Sequence, residues 1–197
     1  TPEKKRATVY RKIHLVPFGE YIPFRNWLFF VSPLVDGVAE FAPGTSTTML
    51  PLGNHLISTA ICYEVVYPAL SQEAVRNGSE LLTNITNDAW YGHTSAPFQH
   101  FDLATMRAVE QGRYLVRAAN TGISGIVDPY GRVLKESRIF TEAALVGEVR
   151  LLTKRTPYSI FGDVISYLSI ALTIIMLLVV SKTRMLWRLG LSVRRAD

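Results

Sequence analysis

The sequence predicts an α/β layered domain followed by one membrane-spanning helix. Three observations carry this expectation: short apolar runs alternate with segments of helical periodicity up to about residue 151, residues 164–181 pass without a charge, and the basic excess gathers at the two ends of the chain. With 197 residues and 48% hydrophobic content, the chain can bury one substantial core.

Taken in order, the opening TPEKKRATVY is polar and lacks an initiator Met, so it reads as the interior of a longer chain and not as a signal peptide. Residues 7–16 read as a strand, and PFGEYIPFRNWLFFVSPLVDG as a long Pro- and aromatic-containing loop with at most one short helix. LISTAI, residues 56–61, reads as a buried strand, and residues 68–77 as a helix closed by Gly78. Residues 80–86 form the next expected strand. The polar loop NDAWYGHTSAP then leads into a helix over residues 98–112 with Phe101, Ala104, Ala108 and Val109 on one face. RYLVRAA and SGIVD read as strands, PYG turns the chain into RVLKES, and ALVGEVRL is the last expected strand.

The uncharged run VISYLSIALTIIMLLVVS is just long enough to cross a bilayer and is apolar on all faces. Tyr158, Phe161 and Tyr167 lie near one end, and Lys182, Arg184, Arg188, Arg194 and Arg195 follow the other. The positive-inside rule puts that basic end in the cytoplasm and everything before Asp163 on the opposite side. The expected division is residues 1–157 globular, 158–181 the span with its aromatic approach, and 182–197 a basic cytoplasmic tail. Once the ends are set aside, residues 13–181 carry 11 basic and 14 acidic side chains, so the globular part lacks the electrostatic footprint of a nucleic-acid binder.

Cys62 is the only cysteine, at the end of LISTAI and two residues before Glu64. A lone Cys is often a small buried hydrophobe. At a strand's C-terminal end beside a helix start, however, backbone N–H groups lower a thiol's pKa and can bind an oxyanion, which is a nucleophile's position. On the non-cytoplasmic side an unpaired thiol is either buried or kept free for reaction. None of His14, His55, His93 and His100 has a metal-site spacing, and one Cys cannot make a zinc knuckle, so these spacings offer no metal site. Lys12, in an expected strand, precedes Glu20 by eight residues in a Gly-Pro loop, which places a cation and a carboxylate near one strand end.

RKIHLVPFGEY, AICYE and NDAWYG, in this order, resemble the carbon-nitrogen hydrolase (nitrilase) superfamily. With the apolar C-terminal run and QHFDLATMRAVEQGRYLVRAANTGISGIVDPYGRV, they resemble its bacterial membrane branch, the apolipoprotein N-acyltransferases, over nearly all of residues 8–181. The resemblance implies a nitrilase-like αββα sandwich, of which residues 1–157 are the C-terminal part, periplasmic and held on the bacterial inner membrane. It also implies a Glu-Lys-Cys triad, whose lysine matches Lys12 and whose cysteine matches Cys62. The base glutamate lies upstream of the lysine in the family, before Thr1, and Glu3 does not match its motif. Glu20 matches a second active-site glutamate, Glu64 a supporting acid, and the backbone N–H of Tyr63 an oxyanion donor.

The implied reaction is a ping-pong transfer that requires no metal and no organic cofactor. Cys62 takes an acyl chain from a phospholipid of the phosphatidylethanolamine type as a thioester, and the N-terminal amine of an S-diacylglyceryl-cysteine apolipoprotein then accepts it. The partners are therefore a phospholipid donor, an apolipoprotein acceptor and the bilayer, with no nucleic acid. Trp27, Phe29 and Phe30 form an apolar cluster that is either core or set against lipid, and Trp90 and Tyr91 either brace the site or line an acyl pocket. Two other readings use the same residues: a membrane-anchored amidase of the nitrilase type, with water as the acceptor, and a non-catalytic membrane-anchored binding protein.

Overall fold

The structure, a computed structural model, describes residues 8–23 and 41–188, with side chains through residue 184. Residues up to Ile160 belong to one compact unit and those from Phe161 to a second. Trp27, Phe29 and Phe30 lie outside the described residues.

Among the described residues of the first unit, six strands form one mixed sheet in sequential order: β1 (Leu50–Leu52), β2 (His55–Ile61), β3 (Leu81–Asn87), β4 (Leu115–Asn120), β5 (Gly125–Val127) and β6 (Val133–Glu136). The β2–β3 and β3–β4 pairs are parallel, so each needs a crossover. Helix α1 (Pro68–Arg76) supplies the first and α2 (Ala96–Gln111) the second. The other pairs are antiparallel and joined by short turns. Strand β1, which the sequence reading did not anticipate, tolerates Pro51 because it is an edge strand.

The core lies where the two helices cover the sheet. Val75 of α1 and Phe101, Ala104 and Ala108 of α2 cluster with Leu82, Leu115 and Val127 of three adjacent strands. Leu115 faces Leu82 on one side and Val127 on the other in the ladder. Ala104 and Ala108 are fully buried, which lets α2 approach closely, while each large apolar side chain here contributes about 1.5–3 kcal/mol by leaving water. Val109 does not share their face as expected. It sits about 100° around the helix from Ala108 and is 40% exposed. Gly112 ends α2 in the left-handed conformation, φ 61°, that glycine adopts without a Cβ penalty.

Two expected strands do not form among the described residues. Residues 8–16 have no ladder: the N–H groups of Ile13 and His14 donate to the Glu64 carboxylate, and the carbonyl of Lys12 accepts from Gly44. Residues 144–151 are extended in sequence character but have no neighbouring strand among the described residues. The chain is instead held by single contacts, such as the Lys135 ammonium on the Val146 carbonyl. The short helix α3 (Pro157–Phe161) begins in the first unit, where Gln72 and Arg76 of α1 donate to the carbonyls of Tyr158, Ser159 and Ile160.

The second unit contains α4 (Val164–Arg188). Its apolar stretch, Val164–Arg184, has 21 residues and is long and apolar enough to cross a membrane. At about 1.5 Å per residue it spans roughly the 30 Å of a hydrocarbon core. Its side chains are exposed within the unit. The hydroxyls of Ser169 and Thr173 donate to carbonyls one turn back, at Ile165 and Ser169, so neither brings an unpaired polar group into the apolar run.

Candidate active site

Strand β2 ends at Ile61 and the chain turns at once into a 3₁₀ turn, Cys62–Val66. Cys62 is a free thiol at the corner with φ 55°, in the left-handed region. For a residue with a Cβ this conformation costs about 1–2 kcal/mol, so the surroundings must impose it. The first N–H groups of such a turn, those of Cys62 and Tyr63, are the ones a helix start leaves without intrahelical partners. The sequence anticipated a thiol at a strand end beside a helix start, and that is the arrangement found.

Glu64 is fully buried beneath this corner and acts as its main fastener. One carboxylate oxygen accepts from the N–H of Ile61, 2.7 Å, as in half a capping box. The other accepts from the N–H groups of Ile13, 2.6 Å, and His14, 3.1 Å. The Tyr10 hydroxyl donates across both oxygens at 3.1 Å. Burial, and then the nearby Glu64 charge, push the Tyr10 phenol well above its ordinary pKa, so it remains a donor. One side chain thus ties the cysteine corner to the segment that carries Lys12.

The Lys12 ammonium donates to both Glu20 oxygens at 2.6 Å, and Glu20 also accepts from the Val16 N–H at 2.8 Å. Their side chains are 10% and 25% exposed. The spacing that suggested a cation and a carboxylate at one place is thereby met, although Lys12 sits on irregular chain and not on a strand. Glu20, Cys62, Tyr63, Trp90, Tyr91 and the turn at residues 16–19 line one cavity of about 500 Å³. Lys12 is not itself among the lining residues and is connected to them by its pair with Glu20. Trp90, 84% exposed, stands at it, and Tyr91 has its phenol pKa raised first by burial and then by the Cys62 charge. Among the described residues, no group of three or more His, Cys, Asp or Glu could hold a metal ion.

Behind the cysteine corner lies a buried polar network that the sequence reading missed. Asn84 of β3 donates to the carbonyls of Ala60, 2.9 Å, and Cys62, 3.4 Å. Arg117, its ladder partner on β4, donates to the Asn84 amide oxygen, to the Ile123 carbonyl at 3.2 Å and to Asp88 at 2.8 Å. Asp88 also accepts from Thr86 at 2.9 Å and lies 3.0 Å from His100 Nδ1. Burial alone would raise the Asp88 pKa. The His100 hydrogen bond and the Arg117 charge outweigh it and hold the carboxyl below its ordinary range. The signal available in the sequence was a charge inside YLVRAA and an amide inside LLTNIT, both polar groups in otherwise apolar strand runs.

Residues 1–156 match the family model for carbon-nitrogen hydrolases, and the chain belongs to that family. Its mixed sheet with covering helices is the nitrilase-superfamily α/β fold, with one apolar helix after it. Among curated relatives, the chain is 48% identical over 160 residues to the apolipoprotein N-acyltransferase of Geobacter metallireducens, covering 81% of this chain and 31% of that protein. It is 41% identical over 156 residues to the enzyme of the same name from Methylococcus capsulatus, 78% of this chain and 31% of that one. The chain therefore spans about a third of the length of these relatives. Among solved structures, it is similar to a point mutant of a Nesterenkonia amidase from the nitrilase superfamily. The identity is 26% over 66% of this chain and 45% of that one, with a TM-score of 0.47.

Proposed function

We propose that the chain is the C-terminal part of an N-acyltransferase that moves a fatty acyl chain from a phospholipid, through a Cys62 thioester, to the N-terminal amine of S-diacylglyceryl-cysteine apolipoproteins. The observation that carries the reading is a strained, free cysteine in a cavity with Glu20 and, through it, Lys12, on a chain that continues into a helix fit to enter a bilayer. The identity to proteins named apolipoprotein N-acyltransferase supports it.

In the first half-reaction the Cys62 sulfur attacks the donor's ester carbonyl. The carbon–sulfur bond forms, the carbon–oxygen bond breaks, and the thiol proton passes by way of a base, a glutamate upstream of this chain, to the departing lysophospholipid oxygen. Lys12 holds the thiolate and then the tetrahedral oxyanion, assisted by the Tyr63 N–H. In the second, the neutral amine attacks the thioester, a carbon–nitrogen bond replaces the carbon–sulfur bond, and Glu20 accepts the amine proton. The domain faces the periplasm and the basic end of α4 the cytoplasm. Trp90 and Tyr91, with Trp27, Phe29 and Phe30, meet the acyl chain or the bilayer surface, and no cofactor takes part.

The test uses the full-length protein in phosphatidylethanolamine vesicles. Mass spectrometry should find one acyl group on Cys62 with one lysophospholipid released, and turnover should need a diacylglyceryl-cysteine peptide. Cys62→Ser should abolish the adduct with the melt unchanged. Steady release of free fatty acid without the peptide would make the protein a hydrolase, and an adduct on another residue would end the assignment to Cys62.

A further inference from the structure

The buried network behind the cysteine corner has no part in the chemistry just described, yet it is costly. Asn84, Asp88, His100 and Arg117 are each at most 3% exposed, and a cation and a carboxylate taken out of water need full hydrogen bonding to be tolerated. Arg117 is largely provided for: each of its three nitrogens donates to a different oxygen, on Asn84, Asp88 and Ile123. The geometry also removes an ambiguity. An amide side chain can be turned either way, but with the guanidinium on its oxygen Asn84 must present its NH₂ group to the end of β2. That group meets two carbonyls of the corner, those of Ala60 and Cys62. The second belongs to the residue held at φ 55°.

We propose that Asn84 is a positioning residue for the nucleophile, oriented by Arg117 and Asp88, and that this clamp is what holds Cys62 in the left-handed conformation that turns its thiol to the cavity. Glu64 fastens the same corner from the other side, through the Ile61 N–H that precedes it. The corner is thus gripped at the N–H before the cysteine, at the cysteine's own carbonyl and at the carbonyl of Ala60. Asp88 shares its oxygens between Arg117 and His100, with Thr86 as a further donor. Gly122 leaves the room for it, since a Cβ there would lie 2.2 Å from the Asp88 carboxylate. His100 Nδ1 lies 3.0 Å from Asp88 and 3.1 Å from Arg117, and can donate only to the former. Its Nε2 is buried without a hydrogen-bond partner among the described residues, so Asp88 orients the ring through Nδ1 while Tyr63 and Tyr91 pack against it.

The inference rests on Cys62 being the reactive thiol, and the experiment separates the two. Cys62 in the full-length protein is alkylated with iodoacetamide across about pH 5–10, a range that covers ordinary thiols and moderately activated ones, giving a rate constant and an apparent thiol pKa for the folded fraction. Acyl transfer from phosphatidylethanolamine vesicles is measured beside it. Asn84→Asp keeps the size and the oxygen on Arg117 but removes both donors to the corner. Arg117→Lys keeps a cation by Asp88 but replaces the planar fork, whose three nitrogens reach Asn84, Asp88 and Ile123 together, by a single point charge that no longer fixes the Asn84 amide, and serves where the first variant does not fold. A misplaced nucleophile costs about 100-fold in the chemical step. We expect a fall of that order in kcat with KM within a factor of about three, and a shifted alkylation profile. Asn84→Gln, which retains the donors on a longer stem, should recover part of the loss. A wild-type thiol that neither alkylates selectively nor acylates would remove the premise about Cys62. A selective wild-type thiol with unchanged kcat and alkylation profile in folded Asn84→Asp or Arg117→Lys, whatever their melting points, would overturn the clamp.

Discussion

Glu64→Gln is the substitution that most directly probes how the site is assembled, because one carboxylate serves the cysteine corner and the Lys12 segment together. The amide keeps one acceptor oxygen and turns the other into a donor. Keeping the oxygen toward Ile13 and His14 leaves the buried Ile61 N–H facing an NH₂ group, and the opposite rotamer leaves two N–H groups so placed. The better rotamer therefore loses one charge-assisted bond, leaves a donor unsatisfied at about 1–3 kcal/mol, and reduces the remaining bonds to the neutral range. Relief from burying the charge offsets part of this. The net expectation is about 2–4 kcal/mol, or a melting point lower by about 6–12 °C for a domain of this size. Acylation of Cys62 should fall even in the folded fraction, because the N–H that immediately precedes the cysteine loses its acceptor. Tyr10→Phe, which removes only the hydroxyl donor, should cost about 1 kcal/mol and leave acylation nearly intact. The assay is a thermal melt of the full-length protein with the single-turnover acylation rate. A Glu64→Gln protein with wild-type melt and rate would refute the argument.

Two further outcomes follow from the same geometry. Lys12→Met keeps the stem and removes the charge, so single-turnover thioester formation should slow by the equivalent of about 2–4 kcal/mol, and near-normal turnover would reject the role. The depressed Asp88 pKa contributes stability that is fully present above the unfolded carboxyl value of about 3.9 and is lost as pH falls through the folded value. Denaturant midpoints below about pH 4 should therefore fall less steeply in Asp88→Asn than in the wild type. Part of the slope should remain, since Asp128 is also held low: burial raises it, but the Arg132 N–H and guanidinium outweigh that. Equal slopes would exclude Asp88 from the acid transition.

The parts legible in the sequence are those whose pattern is local. LISTAI announces a strand by its apolar run, and α1 and α2 announce themselves by periodicity, with glycines at 78 and 112 to end them. Cys62 was legible because a strand followed closely by a helix leaves one corner between them. Residues 8–16 and 144–151 carry equally good strand character, but a strand also requires a neighbour to bond. Within the described residues the first gives its N–H groups to Glu64 instead. The Asn84–Arg117 pair was illegible for a related reason. Thirty-three residues separate the two, and only the parallel register of β3 and β4 sets one beside the other. Periodicity tells which face a residue takes and not which strand lies next to it.

A count of donors and acceptors at the Lys12–Glu20 pair bears on the second half-reaction. An ammonium has three donors and a carboxylate about four acceptor sites. Among the described residues, Lys12 places bonds on both Glu20 oxygens, which leaves one donor for a thiolate or oxyanion. Counted over the same residues, Glu20 takes those two and the Val16 N–H, which leaves one site for an incoming amine. The pair can thus serve each half-reaction without breaking, the cation in the first and the carboxylate in the second. Glu20→Gln separates them. The amide oxygen still receives Lys12, so thioester formation should stay within about tenfold of wild type. An amide cannot take the amine proton, however, and loss of a positioned base slows aminolysis by about 10²–10⁴-fold. In the full-length protein the variant should therefore accumulate acyl-Cys62 when supplied with phospholipid and diacylglyceryl-cysteine peptide, where the wild type does not. Chase experiments with labelled donor measure both steps in one sample. Equal slowing of the two steps would make Glu20 a partner of Lys12 alone and remove it from proton transfer.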